Sequence, residues 1–448
     1  MPSVLVGQLR DYLATGWRPR DSVETASCQL TIAEETGTEL LDHLTCLYPL
    51  QPFSKAYFMP SRDMRLFTYA HEWREILNPR TALAADIQLP RDLLAFKIEG
   101  ALQLNDLIRF MKNPVQVFFN RRLKVYFDQI DVTADDQEPF ALDRLAPFNL
   151  GAQLLVAGLA VETGKCREAV HEEAERLRRT GSLPLNGFGE LAAAELAEPV
   201  LRMIQYHHNL VNQWPDATVA MEIRLQIQNQ QPVENNSALS VLNLEDWLDG
   251  LRRADSGQPP KDILASKKDK CRPSSSERYA RWEFYSDNIM DPKGEVSRLT
   301  SLLGAWVKHL AGCAQGIPLT SYLVAPDGVA ELRQLDQGCA EKWLTEIINR
   351  WWSGLQHPLP VTANTALAYL AAMQSDNPKD TPEMKRQKAV DAARIAYQGN
   401  GFNTSGELGY SLYLARIYPD FSDIWQTDGN QFDCLATSLY APLIQSSR

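Results

Sequence analysis

Apolar residues recur at helical spacing through residues 3–15, and that run closes near Gly16. A second helix is expected near 35–47, "TGTELLDHLTCLY". The Pro- and aromatic-rich "PLQPFSKAYFMPSRD" that follows reads as an extended connector, so a lobe boundary is expected around residues 50–90. Between 103 and 128 the spacing predicts two helices broken at Asn113-Pro114, with Asn113 as N-cap and Pro114 at the first helical position. The polar stretch "DQIDVTADDQEPF" reads as a loop. Helices are then expected over 143–161 and 165–180, followed by a loop "TGSLPLNGFGE" and a long Ala/Leu/Glu helix over 189–212.

The pattern then changes to period two. "ATVAMEIRLQIQ" alternates as a half-buried strand does, and "ALSVLNL" and "RYARWEFYS" are further strand candidates. Residues 251–278 contain a Pro-, Ser- and Lys-rich stretch, expected to be a mobile insertion. Helical spacing returns over 295–311 and 338–356 and continues to the C-terminus, with no internal repeat. Helices, a small block of strands and more helices describe an α/β or α+β lobe, residues 91–448, behind a preface of residues 1–90.

Composition narrows the setting. The seven cysteines are scattered and form no C-x-x-C pair, which argues against a zinc ribbon or disulfide framework and for a reducing cytoplasm. No signal peptide is read at the start, and no apolar run approaches the ~20 residues of a membrane span. A net charge of -11 argues against non-specific coating of nucleic acid but leaves local basic patches open. One patch stands out. Between Asp106 and Asp128 the charged residues are Arg109, Lys112, Arg121, Arg122 and Lys124, with no acid among them. At about 100° per residue, Phe118, Phe119, Arg122, Leu123 and Tyr126 share one face of the second helix, while Arg121 and Lys124 face the other way. Arg122, inside an apolar stripe, is expected to need a structural partner, and Arg121 and Lys124 are free to meet solvent or phosphate.

Other chemical patterns fall short. "GLAVETGKC" has five residues between its glycines and Cys166 in place of the hydroxyl that would hold magnesium, so it reads as a turn between helices. His207 and His208 point about 100° apart and read as surface or helix-end histidines. Asp216 and Glu222, and separately Asp291 and Lys293, superficially match the carboxylate and lysine pattern of metal-dependent nucleases. Against them stand Arg224 in the lysine's place, a short Asp216–Glu222 spacing, and a Pro/Gly turn around Asp291. No metal site and no cofactor are expected.

The blocks "LNDLIRFMKNPVQVFFNRRLKVYF", "EPFALDRL" at 138–145 and "GSLPLNGFGE" at 181–190 resemble, in order and spacing, the C-terminal region of the RecC family, the gamma chains of exodeoxyribonuclease V. The family pattern in the first block is met by Pro114, Val115, Phe118, Phe119, Arg122 and Leu123. The resemblance implies a PD-(D/E)xK nuclease-like fold that is catalytically inactive. On the implied strands Asn243 stands near the first aspartate position, and Arg281 and Glu283 near the Asp-x-Lys pair. It further implies a non-catalytic scaffold in double-strand-break repair and recombination. The implied partners are the beta and alpha helicase subunits, double-stranded DNA ends and split single strands. Residues 1–90 would be the tail of a helicase-like domain. DNA contacts are then expected from Arg121, Lys124, Arg109 and Lys112, and structural roles from Arg122, Pro114, Phe118 and Phe119. A complete family member is more than twice this length, so recognition of the Chi signal is not carried over. The competing expectations are an active metal-dependent nuclease and a purely protein-binding module.

Overall fold

The computed structural model describes residues 3–17, 40–41, 44–59, 65–69, 73, 100–127, 142, 146–184, 186–228, 241–254, 278–374, 381–400, 405–425 and 430–447. Most of the helix expected near 35–47 lies outside these residues. So do the loop at 128–140, most of the block at 138–145, and 255–277 of the expected insertion. The chain divides into two compact units, Met1–Leu93 and Leu94–Arg448.

In the first unit, helix α1 (Val4–Gly16) is followed, beyond undescribed residues, by a 3-10 turn at Lys55–Tyr57. The expected connector is therefore partly ordered. The Ser54 hydroxyl accepts from the Ala56 N–H, and the hydroxyl of buried Tyr57 donates to the Pro49 carbonyl at 3.0 Å.

The second unit begins with the expected helix pair. Helix α2 (Leu104–Lys112) ends at Asn113, and helix α3 (Pro114–Val117) starts on Pro114, with the Asn113 side chain accepting from the Gln116 N–H at 3.0 Å. The break leaves the Met111 carbonyl without a helical partner, and buried Tyr440 donates its hydroxyl to it at 2.8 Å. Beyond Val117 the helix widens into a π turn, Phe118–Leu123, closed by Lys124 at φ 55. Its longer hydrogen-bond step turns the chain less per residue than an α-helix does. The face read at 100° per residue therefore fails past Phe119: Phe118 and Phe119 are buried, but Leu123 and Tyr126 are exposed.

Three helices follow: α4 (Ala146–Leu159), α5 (Cys166–Arg179) and α6 (Asn186–Gln213). "GLAVETGKC" is the turn between α4 and α5, and an added Cβ at Gly158 would lie 2.4 Å from the Ile204 Cδ1, so glycine lets α4 approach α6. The strands are β1 (Asp216–Ala217), β2 (Met221–Gln228), β3 (Val241–Leu248), β4 (Arg252–Arg253), β5 (Tyr279–Phe284), β6 (Leu319–Ala325) and β7 (Gly328–Leu332). They form a mixed sheet in the order β1-β4-β5-β6-β7, parallel only between β5 and β6, and a separate antiparallel pair, β2-β3. Helix α7 (Leu303–Ala314) makes the crossover between β5 and β6. Trp282, Phe284 and Tyr322 pack one sheet face against the core of α4, α5 and α6, while Gly312 of α7 lies against Leu319 on the other face. The fold is thus mixed α/β, completed by helices α8 (Gln337–Gln356), α9 (Ala363–Met373), α10 (Pro382–Gln398), α11 (Gly406–Tyr410), α12 (Leu412–Ile417), α13 (Phe421–Trp425) and α14 (Asn430–Ser446).

The "GSLPLNGFGE" block offers a paired test. A Cβ at Gly189 would meet the Pro184 carbonyl oxygen at 2.0 Å, whereas one at Gly187 meets nothing within 4 Å. Gly189→Ala is expected to lower stability by about 2 kcal/mol through overpacking, and Gly187→Ala to leave it unchanged or raise it slightly. Urea midpoints of the two variants check this.

Candidate functional site

Alternation along β5 sends Arg281 and Glu283 to the sheet face covered by α7, and Trp282 to the other. Arg281 is 3% exposed. Its Nη2 donates to Glu283 Oε1 at 2.9 Å, and Lys308 Nζ, from α7, donates to the same oxygen at 2.6 Å. Burial alone would raise the pKa of Glu283, but Arg281 and Lys308 outweigh it and hold the carboxyl below its ordinary range. Two cations thus surround one carboxylate where a divalent metal would need two carboxylates, so these residues do not fit a magnesium ion.

Asn243 is not part of this cluster. It lies on β3, opposite Gln226 of β2, in the other sheet, with its carbonyl accepting from the Leu102 N–H at 2.8 Å. The strands hydrogen-bonded to β5 are β4, which carries Arg252 and Arg253, and β6. Asn243, expected at the first-aspartate position, therefore lies in a different sheet from Arg281 and Glu283.

The residues of the competing nuclease reading do not converge either. Asp216 pairs with Arg253 at 3.7 Å and Glu222 with Arg224 at 2.7 Å, on strands of different sheets. The Asp291 carboxylate accepts from the N–H groups of Lys293 and Glu295 within its own turn. Among the described residues no group of three or more His, Cys, Asp or Glu side chains could hold a metal.

The basic segment is tied down differently from expectation. Asp106, buried in the first turn of α2, accepts from the Gln103 N–H and pairs with Arg121, whose side chain remains 40% exposed. Arg121 was expected to be free for solvent or phosphate; the π turn instead carries it back to Asp106. Arg122 is half-buried, and Arg109, Lys112 and Lys124 are exposed. The segment is stitched to β3 as well, since Asp246 accepts from the Leu104 N–H at 2.9 Å.

The family model described as the RecC C-terminal domain matches residues 99–374, more than half of the chain. This chain belongs to the RecC C-terminal domain family. It is 26% identical over 426 residues to the RecBCD enzyme subunit RecC of Escherichia coli (strain K12), covering 93% of this chain and 31% of that protein. It is 28% identical over 203 residues to the RecBCD enzyme subunit RecC of Haemophilus influenzae (strain ATCC 51907 / DSM 11121 / KW20 / Rd), covering 45% and 15%. The chain therefore spans less than a third of either relative's length.

The RecC match includes the basic segment, both sheets and α7, and within it lie residues that sequence reasoning missed. Lys308 gave no signal, because its partner is 25 residues away. Strands β6 and β7 were missed although "PDG" between two apolar runs signals a hairpin. His309 is fully buried: Nε2 faces the Arg333 carbonyl at 3.0 Å and so carries the proton, which leaves Nδ1 to accept from the Ser321 hydroxyl at 3.0 Å. With Ser321 also fully buried, this pair is structural. His207 is not a plain surface histidine, for its Nδ1 accepts from the Trp282 indole N–H at 2.9 Å. Among the described residues no helix is long and apolar enough to cross a membrane.

Glu283→Gln is expected to cost about 2–3 kcal/mol at neutral pH by leaving Arg281 buried without a charge partner, and Arg281→Met with Glu283→Met to cost less than Glu283→Gln alone. Denaturant titrations of the variants measure both. Burial lowers the pKa of both His207 and His309 from 6.5 to about 4, with His208 and Arg252 adding to it at His207 and Arg281 at His309. Both are neutral when folded and protonate near pH 6.5 when unfolded, so the stability they contribute is complete above pH 6.5 and is lost as the pH falls toward 4. His309→Phe should flatten stability against pH over that window.

Proposed function

We propose that this chain is a non-catalytic, DNA-contacting scaffold in a helicase–nuclease complex of the exodeoxyribonuclease V type, acting in the cytoplasm in double-strand-break repair and recombination. The observation that carries the reading is the Arg281–Glu283–Lys308 cluster. It lies on the strand that the family resemblance assigns to the metal-binding pair of a nuclease, and it replaces a metal with the protein's own cations. The β5–α7–β6 crossover with antiparallel β4 and β7 supports a nuclease-like sheet, with α4–α6 on the far face. On this reading residues 1–90 are the tail of a helicase-like domain, and the two helicase subunits and DNA ends are the partners.

The DNA contacts are assigned to Arg109, Lys112 and Lys124, the exposed cations of the basic segment, with Arg121 contributing only the part of its guanidinium that Asp106 leaves exposed. Phe118, Phe119 and Pro114 anchor the segment in the core, with Arg122 beside them. Arg121→Glu is a poor probe, because it would set a second carboxylate against Asp106. Arg109→Gln with Lys124→Gln removes two exposed charges and no packing.

Capture of this chain with the two helicase subunits from the same source tests the scaffold, and a salt series on duplex DNA tests the contacts. Stable capture is expected, together with a log-affinity against log-salt slope that falls by about 0.9 for each contact removed. Capture of neither subunit would contradict the scaffold. An unchanged slope in the double variant would contradict the DNA contacts and leave a protein-binding module.

A further inference from the structure

Strand β2 has two edges, and β3 takes one of them. Along β2, Met221, Ile223, Leu225 and Ile227 turn toward the core, while Glu222, Arg224 and Gln226 are exposed. Successive residues of a strand direct their N–H and C=O groups to alternate edges. On β3, Asn243 and Glu245 direct theirs away from β2, because the Leu102 N–H donates to the Asn243 carbonyl and the Leu102 carbonyl accepts from the Glu245 N–H. Their register partners are Gln226 and Arg224. Glu222, Arg224 and Gln226 therefore turn their main-chain groups outward on the far side of the pair. One of these groups is met: the Arg224 N–H donates to Gln315 Oε1 at 3.2 Å, an exposed side-chain amide where the carbonyl of a neighbouring strand would stand. Among the described residues no strand pairs with this edge.

Proline, lysine or a bulge ordinarily keeps an edge from being paired, and the eight residues of β2 have none of these. Its charged residues, Glu222 and Arg224, pair with each other at 2.7 Å. On the core-facing side Met221 and Leu225 are half-buried, and Val219, just ahead of the strand, is 83% exposed, which makes an apolar rim. On the solvent face of the pair and the turn after it, exposed Glu222, Glu245 and Asp249 outnumber Arg224. We propose that the outer edge of β2 takes an extended peptide segment of a partner protein as a third strand, with apolar side chains on the Val219–Leu225 rim and a basic side chain beside Glu222. Main-chain hydrogen bonds supply the affinity of such a strand and its alternate side chains the selectivity. A second copy of this chain is a poorer occupant, since each copy carries a net charge of -11. The site lies on the opposite edge of the pair from Leu102, and it does not depend on the DNA reading.

The test is anisotropy of a fluorescent peptide as long as β2, in which valine alternates with threonine and lysine, titrated with the full chain. With its valines on the rim, the threonine and lysine residues direct their N–H groups to β2. N-methylation of those residues should weaken binding about tenfold, and N-methylation of the valines should leave it within about twofold. Glu222→Lys should weaken the lysine peptide about threefold and strengthen its glutamate counterpart. Gln315→Ala frees the Arg224 N–H and should tighten binding about threefold. Should a variant fail to fold, the methylated peptides decide without any change to the protein. Equal binding of the two methylated peptides, or no binding of the parent peptide below about 1 mM, overturns the assignment. So does sedimentation of the free chain as a dimer that Glu222→Lys dissociates, which would make the edge a contact between copies.

Discussion

A guanidinium removed from water must find opposite charge, and at 3% exposure Arg281 imposes that requirement on the middle strand of the sheet. The nearest carboxylate on its face is Glu283, two residues along, and Lys308 of α7 reaches the same oxygen. The cluster ties the crossover helix to the strand before it, and it occupies the Glu283 carboxylate with the protein's own cations. Below it, Ser321 stands opposite Arg281 on β6 and is held by His309 of the same helix. The polar face of the sheet is thus stitched to α7 by charge at one end and by a neutral hydrogen bond next to it, while Trp282, Phe284 and Tyr322 bury the other face.

The basic segment is built on a comparable economy of partners. Breaking the helix at Asn113-Pro114 frees the Met111 carbonyl, and Tyr440 supplies its donor from the last helix of the chain. The buried Asp106 both caps α2 and holds Arg121, while Asp246 brings β3 to the same helix start. Arg109, Lys112 and Lys124 stay exposed on a backbone that is fixed from several sides.

Local chemistry was well written in the chain. The Asn-Pro break, the turn at "GLAVETGKC", and the helices from α4 to α6 follow from capping residues and periodicity alone. The side of the helix on which Arg121 lies was not legible, because a π turn changes the angular step and nothing in "FFNRRL" announces it. Nor was the partner of β3 legible. Its alternation marks it as a strand but does not say that β2 and Leu102 take its edges while β5 pairs elsewhere. Arg281 and Glu283 could be named from a family pattern, yet Lys308 could not, since helix and strand meet only through the crossover.

The most direct measurement is a manganese titration of the whole chain followed by electron paramagnetic resonance of the free ion. With Arg281 and Lys308 both on Glu283, no stoichiometric manganese binding is expected at neutral pH, and Glu283→Gln should change nothing. One equivalent of bound manganese that disappears in Glu283→Gln would contradict the cluster as the replacement for a metal and would return the chain to the nucleases.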